Sequence, residues 1–207
     1  VSGLALLDYA SVLVFALTGA LVASRAQLDL VGFAFMACLT AVGGGTVRDL
    51  LLDRHPVFWV GQPDYILIAT AAAVVVFFTA HLVESRYNLL VWLDSFALSI
   101  AAAAGAGAAL SLNQSGVIVV LMGVTTGCLG GLMRDVVCNE VPLVLKQGEL
   151  YVSCAFAGAF AAVIATRLGF DELATLAACA LICWALRAGS LVFGWRLPVY
   201  KARPPRQ

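Results

Sequence analysis

Charge is scarce in this sequence. Asp, Glu, Lys and Arg together make up 12% of 207 residues, 12 of each sign, with no net charge. A soluble domain carries about 25% charged residues. So thin and balanced a charge leaves no basic surface for nucleic acid. Histidine is limited to His55 and His81, and neither has neighbours at metal-ligand spacing. The six cysteines, Cys38, Cys128, Cys138, Cys154, Cys179 and Cys183, form no CxxC pair and lie inside apolar runs. They read as small buried hydrophobes rather than a disulfide framework. No GxSxG, HExxH or P-loop string occurs, nor a carboxylate pair spaced for acid–base work. The chain is therefore expected to be no enzyme and to need no cofactor or metal.

What the sequence has in excess is apolar. Hydrophobic residues reach 62% and the mean hydropathy is +0.99, against about 45–50% apolar in a soluble domain. A chain this short has too large a surface-to-volume ratio to hide that content from water. Lipid is the expected solvent. Seven apolar segments can be marked, at about 4–24, 30–53, 64–83, 89–112, 116–138, 149–167 and 173–194. Each approaches the roughly 20 residues a helical span needs. Each is apolar all round, without the alternation of an outer-membrane barrel. The first run has no basic region ahead of it and reads as mature structure, not a signal peptide.

The chain repeats itself. At an offset of 86 residues Asp8 falls on Asp94, Gly19 on Gly105, Thr40 on Thr126, Gly44-Gly45 on Gly130-Gly131, Arg48-Asp49 on Arg134-Asp135, Pro56 on Pro142 and Tyr65 on Tyr151. Each copy holds three spans, so the second must enter the bilayer from the opposite side, as in inverted-repeat transporters. The expected architecture is all-α: one transmembrane domain over 1–207 with seven helices. Repeat 1 runs over about 4–83 and repeat 2 over about 89–167, with an extra helix at about 173–194 and a tail over 195–207. One set of loops carries Arg54 and Arg167; the other carries Arg25, Arg86, Lys146, Arg196, Lys201, Arg203 and Arg206. The positive-inside bias puts the C-terminus in the cytoplasm and the N-terminus outside, in a multi-pass cell-membrane protein.

The strongest local signal is Gly43-Gly44-Gly45-Thr46-Val47-Arg48-Asp49 in span two, with Gly130-Gly131 before Arg134-Asp135 in span five. Three adjacent helical glycines cost on the order of 3 kcal/mol relative to alanine. Helices two and five are expected to break there and turn glycine carbonyls toward a polar cavity; close helix packing through small residues is the other reading. An ionised side chain deep in a bilayer costs roughly 2.5–3.5 kcal/mol and survives by pairing or by facing water. Neighbouring helix positions point about 100° apart, so the expected pairs cross the repeat axis, Arg48 with Asp135 and Arg134 with Asp49, around one charged centre. The alternatives are pairs that only staple the repeats, or charges solvated at the interface. Thr40 and Thr126 can offer hydroxyl oxygens to an ion or bond back to their own helix. Asp8 and Asp94 are expected to cap their helices or face the pore mouth. Arg187 is expected to snorkel or to meet a neighbouring subunit.

These motifs carry a resemblance. GGGTVRDLLLDRHPVFW, the second GG…RD…P string, two three-span repeats and a seventh span resemble prokaryotic members of the trimeric intracellular cation (TRIC) channel family. They are similar as well to related bacterial membrane proteins with a doubled GGGTxRD…P signature, some regarded as glycine transporters. The second copy departs from the motif, with Leu129 and Leu132 in place of a glycine and a threonine. The resemblance implies a homotrimer with a pore in each subunit, lined by the glycine-bent second and fifth spans, passing potassium in preference to sodium. Gly43, Gly44, Gly45, Thr46, Gly130, Gly131, Thr40 and Thr126 are the candidate pathway residues. The alternative function is secondary transport of a small amino acid such as glycine, its carboxylate held at half-helix N-termini. A scaffold without any pathway is the third reading.

Overall fold

A computed structural model describes residues 3–83 and 85–200. Lys201, Arg203 and Arg206 of the expected tail lie outside the described residues. The described chain is helical throughout, with no strand beyond an isolated bridge between Glu149 and Arg196. The helices are α1 (Gly3–Arg25), α2 (Leu30–Leu51), a short α3 (Phe58–Gly61), α4 (Asp64–Thr79), α5 (Arg86–Ser111), α6 (Gly116–Val137), α7 (Val152–Arg167) and α8 (Glu172–Phe193).

Local sequence explains where the helices begin and end. Asp29 caps α2 by accepting a 2.8 Å bond from the Gly32 N–H, satisfying a donor the first turn leaves free. Four residues with positive φ follow the long helices: Gln27, Asp53, Asn113 and Asn139. They form two pairs offset by 86, and at three of the four the short side chain of Asp or Asn tolerates the left-handed turn that stops a helix. Gly194, at φ 68, ends α8 the same way.

α1, α2 and α4 form one bundle and α5, α6 and α7 its repeat. They join where α1 packs on α5 and α2 on α6. α5 lies at the centre: Ala101, Ala102, Ala103, Ala104, Ala106, Ala108 and Ala109 are all essentially inaccessible. Small side chains bring helix backbones close where lipid supplies no hydrophobic drive between helices. α8 packs on α5 and α7, so only the second copy is braced by the extra helix. Large apolar residues such as Leu67, Phe78, Phe156 and Phe193 stay exposed on the outside, the surface expected to meet acyl chains.

One expectation is corrected here, and the count of seven spans is met in part. Helical structure runs without interruption through Gly43–Gly45 in α2 and through Gly130–Gly131 in α6, so neither helix is broken at its glycines. By length and composition six helices qualify as spans: α1, α2, α4 extended by the 3-10 turn Ala80–Leu82, α5, α6 and α8. α7 has only 16 residues, a rise of about 24 Å against a hydrocarbon core of about 30 Å.

Candidate functional site

Each repeat builds one buried charge centre. In the first, Arg48 Nε donates to Asp49 Oδ1 at 2.8 Å and Arg48 Nη1 to Asp8 Oδ1 at 2.8 Å. In the second, Arg134 makes the same bonds to Asp135 and Asp94, each at 2.8 Å. Both guanidinium groups are fully buried, and each side chain leaves one nitrogen, Nη2, without a partner. A buried arginine held between two carboxylates keeps its charge without facing lipid.

The pairs therefore do not cross the repeat axis, and the expected contacts Arg48–Asp135 and Arg134–Asp49 are absent. The helix crossing gives the reason. A Cβ on Gly44 would run into the carbonyl oxygen of Thr126, and one on Gly130 would lie 2.5 Å from that of Thr40. Contacts 44–126 and 40–130 define an antiparallel crossing centred near 42 and 128. Arg48 lies six residues to one side and Arg134 six to the other, about 18 Å apart along the axis at 1.5 Å per residue. Arginine is also long enough to fold back onto the next residue's carboxylate, which overrides the 100° separation of their Cβ bonds. Asp8 and Asp94 are not helix caps: they sit well inside α1 and α5 as the second carboxylate of each centre.

The centres differ in their outer partners. Asp49 also accepts from Arg54 Nη1 at 3.1 Å and from the Phe58 N–H at 2.9 Å. Asp135 accepts from the Leu143 N–H at 2.9 Å. At the position of Arg54 the second copy has Glu140, which pairs instead with Arg25 at 3.2 Å. The first centre thus balances two cations with two carboxylates, while the second holds one arginine against Asp94 and Asp135. The tyrosines diverge as well. Tyr151 donates its hydroxyl to Asp94 Oδ2 at 2.8 Å. Tyr65 packs by its ring, stacked on Tyr9 at 4.2 Å and edge-on to Phe58 at 4.8 Å.

Space is distributed unequally too. A cavity of about 330 Å³ opens beside the first centre, lined by Asp8, Arg54, Phe58, Gln62 and Tyr65 among others. Beyond it a pocket of about 10 Å³, lined by Asp8, Phe58, Gly44, Gly45 and Thr126 among others, has room for one water at most. Asp8 and Phe58 line both, and the Phe58 ring covers Gly45 so closely that a Cβ there would clash. Gly44, Gly45 and Thr126 thus reach the small pocket, whereas Gly43 packs against Met133 and Gly130 against Thr40. Gly131 lies under Tyr151, Asp94 and Arg134. The hydroxyls of Thr40, Thr126 and Thr46 donate to Met36, Met122 and Val42 carbonyls on their own helices, and Thr46 also accepts from Trp59 Nε1 at 2.9 Å.

Arg187 neither snorkels nor points outward. It is buried, bonded to Glu149 Oε2 at 2.9 Å and to the Leu150 carbonyl at 3.1 Å. Sequence reasoning missed Phe58 and the roles of Asp8, Asp94 and Tyr151. The aspartates and Tyr151 were visible as repeat-conserved positions; Phe58 carried no repeat signal, since its counterpart is Val144.

Known proteins align with this architecture. A family model described as "Glycine transporter" matches residues 5–81 and again 91–167, two copies at the same offset of 86. A UPF0126 membrane protein of Vibrio cholerae is 32% identical over 94% of this chain and 82% of its own. Among solved structures, a TRIC trimeric intracellular cation channel orthologue from Rhodobacter sphaeroides is 43% identical. It covers 92% of this chain and 98% of that one, with a TM-score of 0.89. A structure described as the basis for conductance through TRIC cation channels is 30% identical over 98% of this chain and 100% of that one, TM-score 0.86. These relatives are membrane proteins and channels, not enzymes.

Proposed function

The chain belongs to the TRIC-like family of membrane proteins that the glycine-transporter model describes, and on that premise we propose that each subunit of a homotrimer conducts monovalent cations, potassium ahead of sodium. The observation that carries this reading is the file of spaces ending at the α2–α6 crossing. The 330 Å³ cavity leads to Asp8 and Phe58, then to the small pocket at Gly44, Gly45 and Thr126. The arrangement is that of a closed conformer. Conduction requires the Phe58 ring to leave Gly45 and the crossing to loosen at Gly44 and Gly130.

The ion-pair centres suit a cation. Arg48 is neutralised by Asp8 and Asp49, so it does not repel an entering cation, and the second centre has one carboxylate more than its arginine balances. Among the candidate pathway residues, Gly44, Gly45 and Thr126 belong to the constriction, and Thr40 meets Gly130 at the helix crossing. Gly43, Gly130 and Gly131 set helix approach, and Thr46 anchors Trp59. On this reading α7 completes seven spans as the repeat partner of α4, over the domain boundaries given above. Arg25, Arg86 and Lys146 gather at one end, where Arg25 pairs with Glu140 and lies over Tyr87, a ring that Lys146 also contacts. The positive-inside rule makes that end cytoplasmic, with the C-terminus, and places the N-terminus outside a cell membrane.

A second reading, uptake of a small zwitterion, draws on the family model's description and on Asp8 and Arg54 facing the same cavity. Single-channel recording in planar bilayers under opposed potassium and sodium gradients, run beside counterflow of labelled glycine in vesicles, separates the two. Unitary currents reversing toward the potassium potential support the channel. Counterflow without unitary current overturns it.

A further inference from the structure

The repeat is internally symmetric, yet its two ends are built differently, and the difference traces to α8. On the second copy a series of contacts through residues 148–151 links the segment after α8 to the buried centre. The Leu197 N–H donates to the Gly148 carbonyl at 2.8 Å, and the backbones of Arg196 and Glu149 pair as an isolated antiparallel bridge. Arg187 Nη2 donates to Glu149 Oε2 at 2.9 Å, Nη1 to the Leu150 carbonyl at 3.1 Å, and the guanidinium lies 5.1 Å from the Tyr151 ring centre. The Tyr151 hydroxyl then closes on Asp94 Oδ2, whose other oxygen holds Arg134. Residues 149–151 are thus gripped at three consecutive positions by one side chain from a helix outside the repeat. In the first copy Tyr65 packs by its ring and Asp8 borders the open cavity.

We infer that Arg187 is a positioning residue that locks one end of the pathway: it holds residues 149–151 so that Tyr151 stays seated on Asp94, and α8 with the segment after it forms a latch that must release before that end opens. The inference deepens the channel reading and rests on it. The guanidinium suits the task because its planar fork serves a carboxylate, a carbonyl and a ring face at once, which a lysine ammonium cannot do. Because α8 lies outside the repeat, the first copy has no equivalent brace, and opening at the two ends is separately controlled.

The test reads access to Cys128, which packs in one apolar cluster with Tyr151, Leu98 and Cys154 and is 5% exposed. A membrane-impermeant cationic thiol reagent is applied to the full-length protein in oriented vesicles, from each side in turn, and modification of Cys128 is followed by peptide mass spectrometry. Arg187→Gln, and the milder Glu149→Gln at a partly exposed partner, should each speed modification about tenfold from the side bearing Lys146 and the α8 C-terminus, the factor expected for one lost charge-assisted bond. The rate from the opposite side should not change. Arg187→Lys should fall between wild type and Arg187→Gln, and adding Arg187→Gln to Tyr151→Phe should give no further gain. Unchanged rates, equal acceleration from both sides, or full additivity with Tyr151→Phe overturns the latch. Bilayer currents of the same variants keep the two ideas apart: one-sided acceleration in a protein that carries no current preserves the latch and removes the channel. Currents without one-sided acceleration do the reverse.

Discussion

Replacing Asp8 tests which carboxylates hold Arg48. The guanidinium is fully buried and has two anionic partners, Asp8 and Asp49, each at 2.8 Å. Removing one partner of a buried pair costs about 3–5 kcal/mol, because the other charge is stranded. Asp8 borders the cavity beside the first centre with a side chain 10% exposed, and Asp49 still holds Arg48, so Asp8→Ala belongs at the lower end, about 3 kcal/mol. Asp49→Ala should cost more, since it removes a partner from both Arg48 and Arg54 and frees the Phe58 N–H. The discriminating measurement is a pair of double-mutant cycles read by reversible denaturant unfolding in mixed micelles. Arg48→Ala with Asp8→Ala should show a coupling of about 2 kcal/mol. Arg48→Ala with Asp135→Ala should stay below about 0.5 kcal/mol, as expected for groups more than 7–10 Å apart without shared partners. A larger coupling to Asp135 than to Asp8 would refute the within-repeat centres and restore a single crossed centre.

Gly44→Ala and Gly130→Ala should each destabilise by about 1–3 kcal/mol in the same assay, because the added Cβ meets a backbone carbonyl that cannot rotate away; wild-type stability in both would mean the crossing is loose. Phe58→Ala should raise open probability in bilayer recordings by uncovering Gly45, and an unchanged or lower open probability would remove the ring from the gate. Glu140→Ala breaks only the Arg25 pair, in which each side chain is 30% exposed, and should change stability by less than about 1 kcal/mol; a loss as large as that of Asp8→Ala would show that Glu140 belongs to the buried second centre.

Much of this molecule was legible along the chain. Scarce charge and 62% apolar content left lipid as the only adequate solvent. The offset of 86 carried the duplication, down to helices Leu30–Leu51 and Gly116–Val137 lying in register and paired left-handed residues at Gln27 and Asn113. Composition and spacing are local properties, so they survive being read one residue at a time. The glycines also marked the helix contact, though not its nature. Whether a glycine breaks a helix or admits a neighbour depends on what lies opposite, and opposite Gly44 and Gly130 lie the Thr126 and Thr40 carbonyls.

Partner choice among the charges was decided by the tertiary structure alone. The motif presented Arg48 beside Asp49 and offered Asp135 by symmetry. The antiparallel crossing separates the two RD motifs toward opposite ends, while α1 and α5 carry Asp8 and Asp94 within reach of Arg48 and Arg134. The asymmetry between the halves has the same origin. Arg187 has no counterpart in the repeat, and only the packing of α8 on α5 and α7 brings it to Glu149 and Tyr151. Sequence periodicity specifies which residues share an environment. Which atoms meet is settled by the angle and register at which helices cross, and those follow from side-chain packing across many residues at once.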